Sequence, residues 1–287
     1  MTMMTSRHST LRALALLALL SAACSTTEPT RTQDASDDAR EAGPVCGVCG
    51  GETPYCDEAA EACVACLESA QCSDSNTSRC EAGACVACEV DADCGHQDGL
   101  PRCANGTCRA CTTETEAADC GLNACHTETG TCGSVARGSQ GSCEPCGADS
   151  ECFSDASGTR RCVALAYQDA AHGSYCLLDK ATTVGAECPR RFPDVETTTS
   201  LGGTLATYCS IRTAITTCEA VTAFQESCTE DTDCGDPALG DGLCRESGGG
   251  KKCTYACQGT DDCASGAACS SADPKYCCTG SAGPGCD

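Results

Sequence analysis

The longest run of apolar residues in this chain lies at its N-terminus. Leu11 to Leu20 consists of Leu and Ala apart from Arg12, and small residues follow it up to Cys24. A charged start, a short apolar section and small residues in that order are typical of a secretory signal peptide. The run is too short for a membrane-spanning helix, which needs roughly 20 apolar residues. We therefore predict a signal peptide over residues 1–23.

The residues around the cleavage point resemble the bacterial lipobox, whose cysteine is lipidated and becomes the first mature residue. In Leu20-Ser21-Ala22-Ala23-Cys24 the leucine stands one place further back than usual, so cleavage after Ala23 without lipidation is the alternative. Removing Cys24 leaves 34 cysteines, an even number that can pair completely. The resemblance implies lipidation at Cys24. It also implies the outer membrane, since Ser25 replaces the Asp that retains such proteins at the inner membrane.

The segment that follows is polar and contains no cysteine and no aromatic residue up to Val45. Such a composition is typical of a disordered tether. A flexible tether of about 20 residues has a root-mean-square reach of roughly 25 Å. We predict that residues 24–45 form a lipidated N-terminus and a disordered tether.

Beyond this tether, polar residues recur in a fixed pattern between cysteines. The pattern is a cysteine, four residues, and then an acid or Gln directly before the next cysteine. Its copies are Cys66-LESAQ-Cys72, Cys88-EVDAD-Cys94, Cys146-GADSE-Cys152, Cys228-TEDTD-Cys234 and Cys257-QGTDD-Cys263, with an expanded copy from Cys111 to Cys120. Six copies indicate internal repeats.

A tight loop between two further cysteines follows each of the early copies. The loops are Cys80-EAGA-Cys85, Cys103-ANGT-Cys108 and the wider Cys125-HTETGT-Cys132. A Gly two places before each closing cysteine suits a turn with positive φ, and Asn105-Gly106 is a strong hairpin signal. We predict units of about 22 residues, each a short β-hairpin plus an irregular acidic loop, stapled to itself and to its neighbour.

Cysteine counts divide the chain into three parts. Residues 46–162 contain 20 cysteines, residues 163–227 contain four and residues 228–287 contain ten, so each part can close its own disulfides. We predict cysteine-rich repeats in the first part, a small β-rich domain in the second and a C-terminal cysteine-rich module in the third.

The middle part differs in kind because it holds five of the nine aromatic residues and both isoleucines. Its Thr-rich run from Val195 to Ile215 predicts β-strands separated by Gly202-Gly203. Ala214 to Glu226 fits a short helix equally well.

Composition favours stapled modules over a conventional core. The chain has 35 cysteines in 287 residues, three Phe and no Trp. Cysteine at this density indicates disulfides and an oxidising compartment. The predicted fold class is small disulfide-rich modules, mostly short β-hairpins and irregular loops, with a small β-rich middle domain. We assign structural disulfides to Cys63, Cys66, Cys72, Cys80, Cys85, Cys88, Cys94, Cys103, Cys108, Cys111, Cys228, Cys234, Cys257, Cys263, Cys277 and Cys278.

Net charge is strongly acidic, at −23 for the whole chain. A nucleic-acid ligand is excluded because phosphate backbones demand the opposite sign. The acidity of an exported protein of this type is most simply a means of keeping it soluble.

The Cys-Val-Ala-Cys steps at 63–66 and 85–88, together with the recurring acidic pattern, carry a resemblance. They resemble the N-terminal cysteine-rich module of Dickkopf proteins and the cysteine-rich repeat lipoproteins of gliding predatory bacteria. The likeness covers residues 46–162 and 228–286 and consists of cysteine spacing. It implies placement outside the cell or in its envelope and a role in protein recognition, and it brings no catalytic residues.

Two kinds of metal site are considered, zinc as an alternative to disulfides and calcium as an alternative to solvated acidic loops. Cys63-x2-Cys66-x18-Cys85-x2-Cys88 satisfies a zinc-ribbon spacing, and a second, overlapping match begins at Cys85. Calcium is the other candidate, since hard oxygen ligands cluster in two acidic loops. The loops contain Glu230, Asp231, Asp233 and Asp236, and Asp91, Asp93 and Asp98. Disulfides and solvated acidic loops are the simpler interpretations.

No catalytic motif of the common hydrolase families is present around His96, His126 or His172. We therefore expect a non-enzymatic, disulfide-stapled cell-envelope lipoprotein with a structural or recognition role at the cell surface and no cofactor.

Its predicted partners are the membrane, through the lipid, and an unidentified protein, for which residues 163–227 are the best location. A zinc- or copper-binding protein is the alternative. A secreted protease inhibitor is third, because the adjacent pair Cys277-Cys278 resembles that of whey-acidic-protein modules.

Overall fold

Short antiparallel hairpins make up most of the structure, a computed structural model that describes residues 45–247, 249–280 and 286. The predicted signal peptide, lipidation site and tether therefore lie outside the described residues, except for Val45. Within the described part of the chain, no helix is long and apolar enough to cross a membrane.

The strands follow one another as neighbouring pairs. The first eight are β1 (Tyr55–Asp57), β2 (Ala62–Val64), β3 (Arg79–Glu81), β4 (Ala84–Val86), β5 (Arg102–Ala104), β6 (Thr107–Arg109), β7 (Asn123–His126) and β8 (Thr131–Ala136). The next eight are β9 (Arg160–Tyr167), β10 (Ala170–Asp179), β11 (Asp194–Thr199), β12 (Leu205–Ser210), β13 (Gly242–Ser247), β14 (Gly250–Tyr255), β15 (Ala267–Cys269) and β16 (Cys277–Thr279).

Helical segments are few and short. The α-helices are α1 (Glu116–Asp119) and α2 (Cys218–Thr222). Single turns of 3-10 helix lie at Ser69–Gln71, Asp91–Cys94, Asp149–Glu151, Lys180–Thr182, Val184–Ala186, Asp231–Asp233 and Thr260–Asp262. The predicted fold class, short disulfide-rich hairpins with a small β-rich middle, is confirmed.

Seven segments of four cysteines share one disulfide pattern, and we call them modules 1 to 7. They are residues 46–63, 66–85, 88–108, 111–132, 146–176, 228–253 and 257–277. In each module the first cysteine bonds to the third and the second to the fourth. The third and fourth lie directly opposite each other on a hairpin, as Cys103 and Cys108 do, yet each bonds to the loop before that hairpin.

Three further disulfides complete the set: Cys143–Cys218, Cys188–Cys209 and Cys278–Cys286. Together the 17 disulfides use all 34 cysteines between residues 46 and 286. Every cysteine to which we assigned a structural disulfide lies in one of them.

The hairpin turns follow from the sequence signals. Asn105 and Gly106 join β5 to β6 with φ of 52° and 79°, and Ala82 and Gly83 join β3 to β4 with φ of 48° and 80°. Positive φ at both central residues gives the two-residue turn whose twist matches antiparallel strands. The predicted hairpins are confirmed at these positions.

Successive modules are joined by hydrogen bonds and ion pairs. The carbonyl of the turn glycine accepts a main-chain N–H from the preceding linker, as between Ala65 N and Gly83 O at 2.8 Å. In module 3, Arg102 pairs at 2.7 Å with Asp119 of module 4. All eight disulfides of modules 1–4 stay within one module, so the expectation that units are stapled to their neighbours is wrong for this part of the chain.

Module 5 carries the largest sheet. Its hairpin, β9 and β10, has eight and ten residues and is extended by two strands in the order β11-β12-β10-β9. The predicted boundary at 162/163 falls inside β9, and Cys143–Cys218 and Cys152–Cys176 cross it. The expectation that the first two parts close their own disulfides is therefore wrong, because one hydrogen-bonded hairpin belongs to both.

The apolar core lies under this sheet and extends into the C-terminal modules. Its buried members include Val163, Leu177, Tyr208 and Val221, and it continues to Tyr255 at the end of β14 and to Cys263 of module 7. Helix α2, whose Thr217 side chain accepts the N–H of Ala220, contributes Val221. The predicted strands on both sides of Gly202-Gly203 are confirmed, and a short helix does lie between 214 and 226.

Candidate metal and recognition sites

The acid before the second cysteine of a module orders its own loop. The Asp93 carboxylate accepts the main-chain N–H groups of Glu89 at 2.8 Å and Val90 at 3.1 Å. These hydrogen bonds favour the ionised form and hold the pKa of Asp93 below its ordinary value. Gln71, Glu151, Asp233 and Asp262 accept N–H groups in the same way.

A second side chain of the loop contacts the hairpin. Asp91 Oδ1 accepts the N–H of Cys103 at 2.9 Å, which lowers the pKa of Asp91, with a further contribution from Arg102. Equivalent bonds run from Cys80 to Ser69, from Cys162 to Asp149 and from Cys244 to Asp231. The loop thus caps the first strand of the hairpin, whose cysteine is bonded to the first cysteine of the same module.

These contacts bear directly on the two candidate calcium loops. In one of them Asp231 also pairs with Arg245 at 2.7 Å, and Asp233 accepts from Thr229. A cation there would compete with main-chain hydrogen bonds that order the loop and with the charge of Arg245. The carboxylates of Asp91 and Asp231 are about half exposed, as in solvated acidic loops. Together with those of Asp93 and Asp233 they also accept hydrogen bonds that order the fold.

The cysteines of the candidate zinc ribbons have other partners. Cys63, Cys66, Cys85 and Cys88 bond to four different cysteines, 49, 80, 72 and 103. Groups of three sulfur atoms within 4.8 Å of one another do occur, as at Cys66, Cys72 and Cys85. Each arises because the two disulfides of a module lie side by side. Binding a metal there requires that these bonds first be reduced.

Three of the four histidines, His96, His126 and His172, lie in the part of the chain that the structure describes, and each contacts another segment. His126 Nε2 lies 2.8 Å from Oε1 of the fully buried Glu151, between modules 4 and 5. His172 Nε2 lies 2.6 Å from Glu219 of helix α2, which also accepts from the Tyr175 hydroxyl. Burial, together with the neighbouring carboxylate, raises the pKa of Tyr175. His96 contacts the carbonyl of Cys72 at 2.9 Å. Each histidine therefore forms a hydrogen bond that joins two segments of the fold.

The aromatic side chains of residues 163–227 are largely used by the core. Tyr175, Phe192 and Tyr208 are buried. The larger apolar side chains left exposed in this part are aliphatic, among them Val195 and Leu205 on neighbouring strands of the sheet. These three aromatic side chains are therefore not accessible to a binding partner.

Local disulfide pattern and loop capping together define a modular, disulfide-rich protein. No protein-family model, no curated protein and no solved structure matches the chain.

Proposed function

We propose that this protein is a non-enzymatic, disulfide-stapled lipoprotein of the cell envelope, with a structural or recognition role at the cell surface. The observation that supports it best is the cysteine pairing. Because the cysteines from 46 to 286 all bond to one another, none of them is left as a partner for Cys24. Cys24 itself, directly after small residues and an apolar run, fits the role of a lipid attachment site.

The disulfides themselves indicate an extracellular or otherwise oxidising compartment. The further step to the outer membrane rests on the lipobox-like residues and on Ser25. In this proposal a lipid at Cys24 supplies the membrane affinity, and the acidic modules stand in the aqueous phase.

A single substitution tests the anchor. Cys24→Ala should shift the protein from the membrane fraction to the soluble fraction or leave an unprocessed precursor. Ser25→Ala is the matched control, because it alters the neighbouring residue and leaves the thiol in place. Normal processing together with full membrane retention of Cys24→Ala would contradict the proposal.

Metal binding is the second candidate, and the clustered sulfur atoms favour it. Reduction of both disulfides in a module would release four thiols, three of them already within 4.8 Å in groups such as Cys88, Cys94 and Cys103. Thiol titration of the exported protein, denatured in the presence of a chelator, distinguishes the two. The lipoprotein proposal expects no free thiol, whereas a zinc or copper protein would release many thiols and an equivalent amount of metal.

A further inference from the structure

A cavity of about 400 Å³ lies between modules 3 and 4. Pockets that bind small molecules span roughly 300–1,000 Å³. The cavity wall is polar and includes Arg102, Asn105, Arg109 and the run from Thr112 to Thr115.

The linker at this cavity departs from the linkers before it. Modules 1–2 and 2–3 are joined by Val-Ala, whereas modules 3–4 are joined by Arg109-Ala110. Between modules 1 and 2, the turn glycine Gly83 packs so closely on Val64 that an added Cβ would lie 2.7 Å from Val64 Cγ1. At Gly130 an added Cβ would lie 2.5 Å from Arg109 Cδ. The stem of Arg109 thus takes the packing position of a valine, and packing holds the side chain in place.

The loop on the other side of the cavity also departs from the pattern. Five residues separate the first two cysteines in modules 2, 3, 5, 6 and 7, but eight separate Cys111 from Cys120. The N-terminal half of this longer loop, Thr112 to Thr115, lines the cavity. Two independent exceptions to the module pattern therefore meet in one space. Exceptions of this kind are expected at functional sites.

Arg109 forms no ion pair within the described residues, although Asp91 and Glu114 line the same cavity. Arg102, in the same wall, pairs with Asp91 at 3.0 Å and Asp119 at 2.7 Å. Arg109 Nη1 donates to the main-chain carbonyls of Thr127 at 2.5 Å and Glu128 at 3.3 Å, and its Nε is buried without a hydrogen-bond partner.

We propose that this cavity binds a small ligand through a carboxylate group that pairs with Arg109. The planar guanidinium presents donors whose geometry matches a carboxylate. The Asn105 amide and the Thr113 hydroxyl, which have no side-chain hydrogen bonds within the described residues, supply further contacts. Polyanions are disfavoured because Asp91 and Glu114 also line the cavity and the chain carries −23. The ligand class is thus a singly charged carboxylate, and the site does not depend on how the chain is anchored.

Two sources of a carboxylate are distinguished by the probes. The exported full chain is titrated calorimetrically with N-acetylalanine, which represents a peptide C-terminus, and with glucuronate, which represents an acidic sugar. The corresponding neutral amides are titrated in parallel. We expect at least one acid to bind, and its amide to bind at least tenfold more weakly because the ion pair is lost. The preferred acid identifies the source.

Matched variants assign the binding to Arg109. Arg109→Val recreates the Val-Ala linker of the earlier modules, so the fold should survive, as an intact-mass count of disulfides will verify, and affinity should fall at least tenfold. Arg137→Val removes an equal charge from an arginine that donates to Gly121 O outside this wall, and should bind as the wild type does. Asn105→Gly keeps the turn and should weaken binding severalfold.

Several outcomes overturn the proposal. They are the failure of both acids to bind, equal binding of acid and amide, and unchanged affinity in folded Arg109→Val. If Arg109→Val does not fold, unchanged affinity of Asn105→Gly serves as the decisive negative result.

Discussion

We call modules 1–4 the array and residues 143–222 the sheet region. Both contain the same disulfide pattern, but the side chains buried around the disulfides differ. In module 3 the buried cluster consists of Cys88, Cys94 and Cys108. In the sheet region it includes Val163, Leu177 and Tyr208. The array therefore has a core made of disulfide sulfur, and the sheet region has an apolar core built around a disulfide module.

The difference lies in the length of one hairpin. The hairpins of modules 2 and 3 have three residues per strand, whereas β9 and β10 have eight and ten. Longer strands offer an edge with which β12 can pair and a face whose apolar side chains share one core with Val221 of α2. A short module cannot bury enough apolar surface to be stable alone, and cross-links are the usual substitute. Four predictions test how far the two regions are independent.

The largest effect is expected in the apolar core. Tyr208→Ala should destabilise the sheet region by about 4 kcal/mol, because it removes a fully buried aromatic side chain. Val195→Ala, exposed on the neighbouring strand, should change stability by less than about 0.5 kcal/mol. Hydrogen exchange followed by mass spectrometry should show lost protection in the sheet region and intact protection in the array. Equal loss in both would show that they unfold as one unit.

Removal of a disulfide should affect the array in a more local way. Replacing Cys94 and Cys108 with serine opens a bond between residues 14 apart and should destabilise module 3 by about 3 kcal/mol. Because these cysteines are also its core, module 3 should lose all exchange protection. The matched change at Cys188 and Cys209, 21 residues apart, should leave the sheet protected, since its apolar core persists. Loss of protection throughout the sheet would contradict this view.

The hairpins could be predicted from the sequence because the signals for turns and strands are local. Asn105-Gly106 favours a turn whatever surrounds it, and the Thr-rich composition of residues 194–210 favours strands. The pairing of cysteines was not accessible, because spacing alone allows several connectivities. Neither was the role of Asp91 and Asp93, since a carboxylate that accepts N–H groups cannot be told from a solvated one without the fold.

The predicted boundary at 162/163 falls inside a strand for a related reason. An even cysteine count was consistent with closed parts, but the count does not show that Cys143 bonds to Cys218 across 75 residues. Arg109 could have been found from the linkers alone, because Arg interrupts a Val-Ala pattern. The cavity beside it follows only from the three-dimensional placement of the longer loop in module 4.

A smaller effect is expected where modules contact each other. Gly83→Ala places a methyl group at a φ of 80° and within 2.7 Å of Val64 Cγ1. Gly99→Ala, at a φ of 72° with nothing within 4 Å, carries the backbone strain alone. We expect Gly99→Ala to cost about 1 kcal/mol and Gly83→Ala about 1 kcal/mol more. Equal losses in chemical denaturation would show that Val64 shifts to accommodate the methyl group at no cost.

The smallest expected effect is the loss of stability at low pH. Arg102 and Thr115 lower the pKa of Asp119 from 3.8 to about 2, and the pKa of Asp91 and of Asp93 is also lowered. Since the unfolded chain binds these protons more readily, the stabilisation is present above about pH 4 and is lost as the pH falls towards 2. In the sheet region the pKa of Asp155 is lowered, but that of Glu196 is raised by burial, which acts in the opposite direction.

We therefore expect acid to loosen the array before the sheet. Amide cross-peaks of modules 3 and 4 should weaken between pH 4 and 2 while those of β9 to β12 persist. Asp119→Asn should remove part of this pH dependence, because it removes the carboxylate that Arg102 and Thr115 stabilise. Simultaneous loss of all cross-peaks would contradict the ordering.

The interleaved disulfide pattern has a consequence for assembly during export. In modules 1–4 the bonded cysteines lie only 10 to 15 residues apart, so a chain that emerges N-terminus first can complete each module before the next arrives. Yet the first cysteine to emerge never bonds to the second. An oxidase that joined cysteines in order of appearance would make the wrong bond in every module. The correct bonds need the hairpin to form first, or an isomerase to exchange them afterwards.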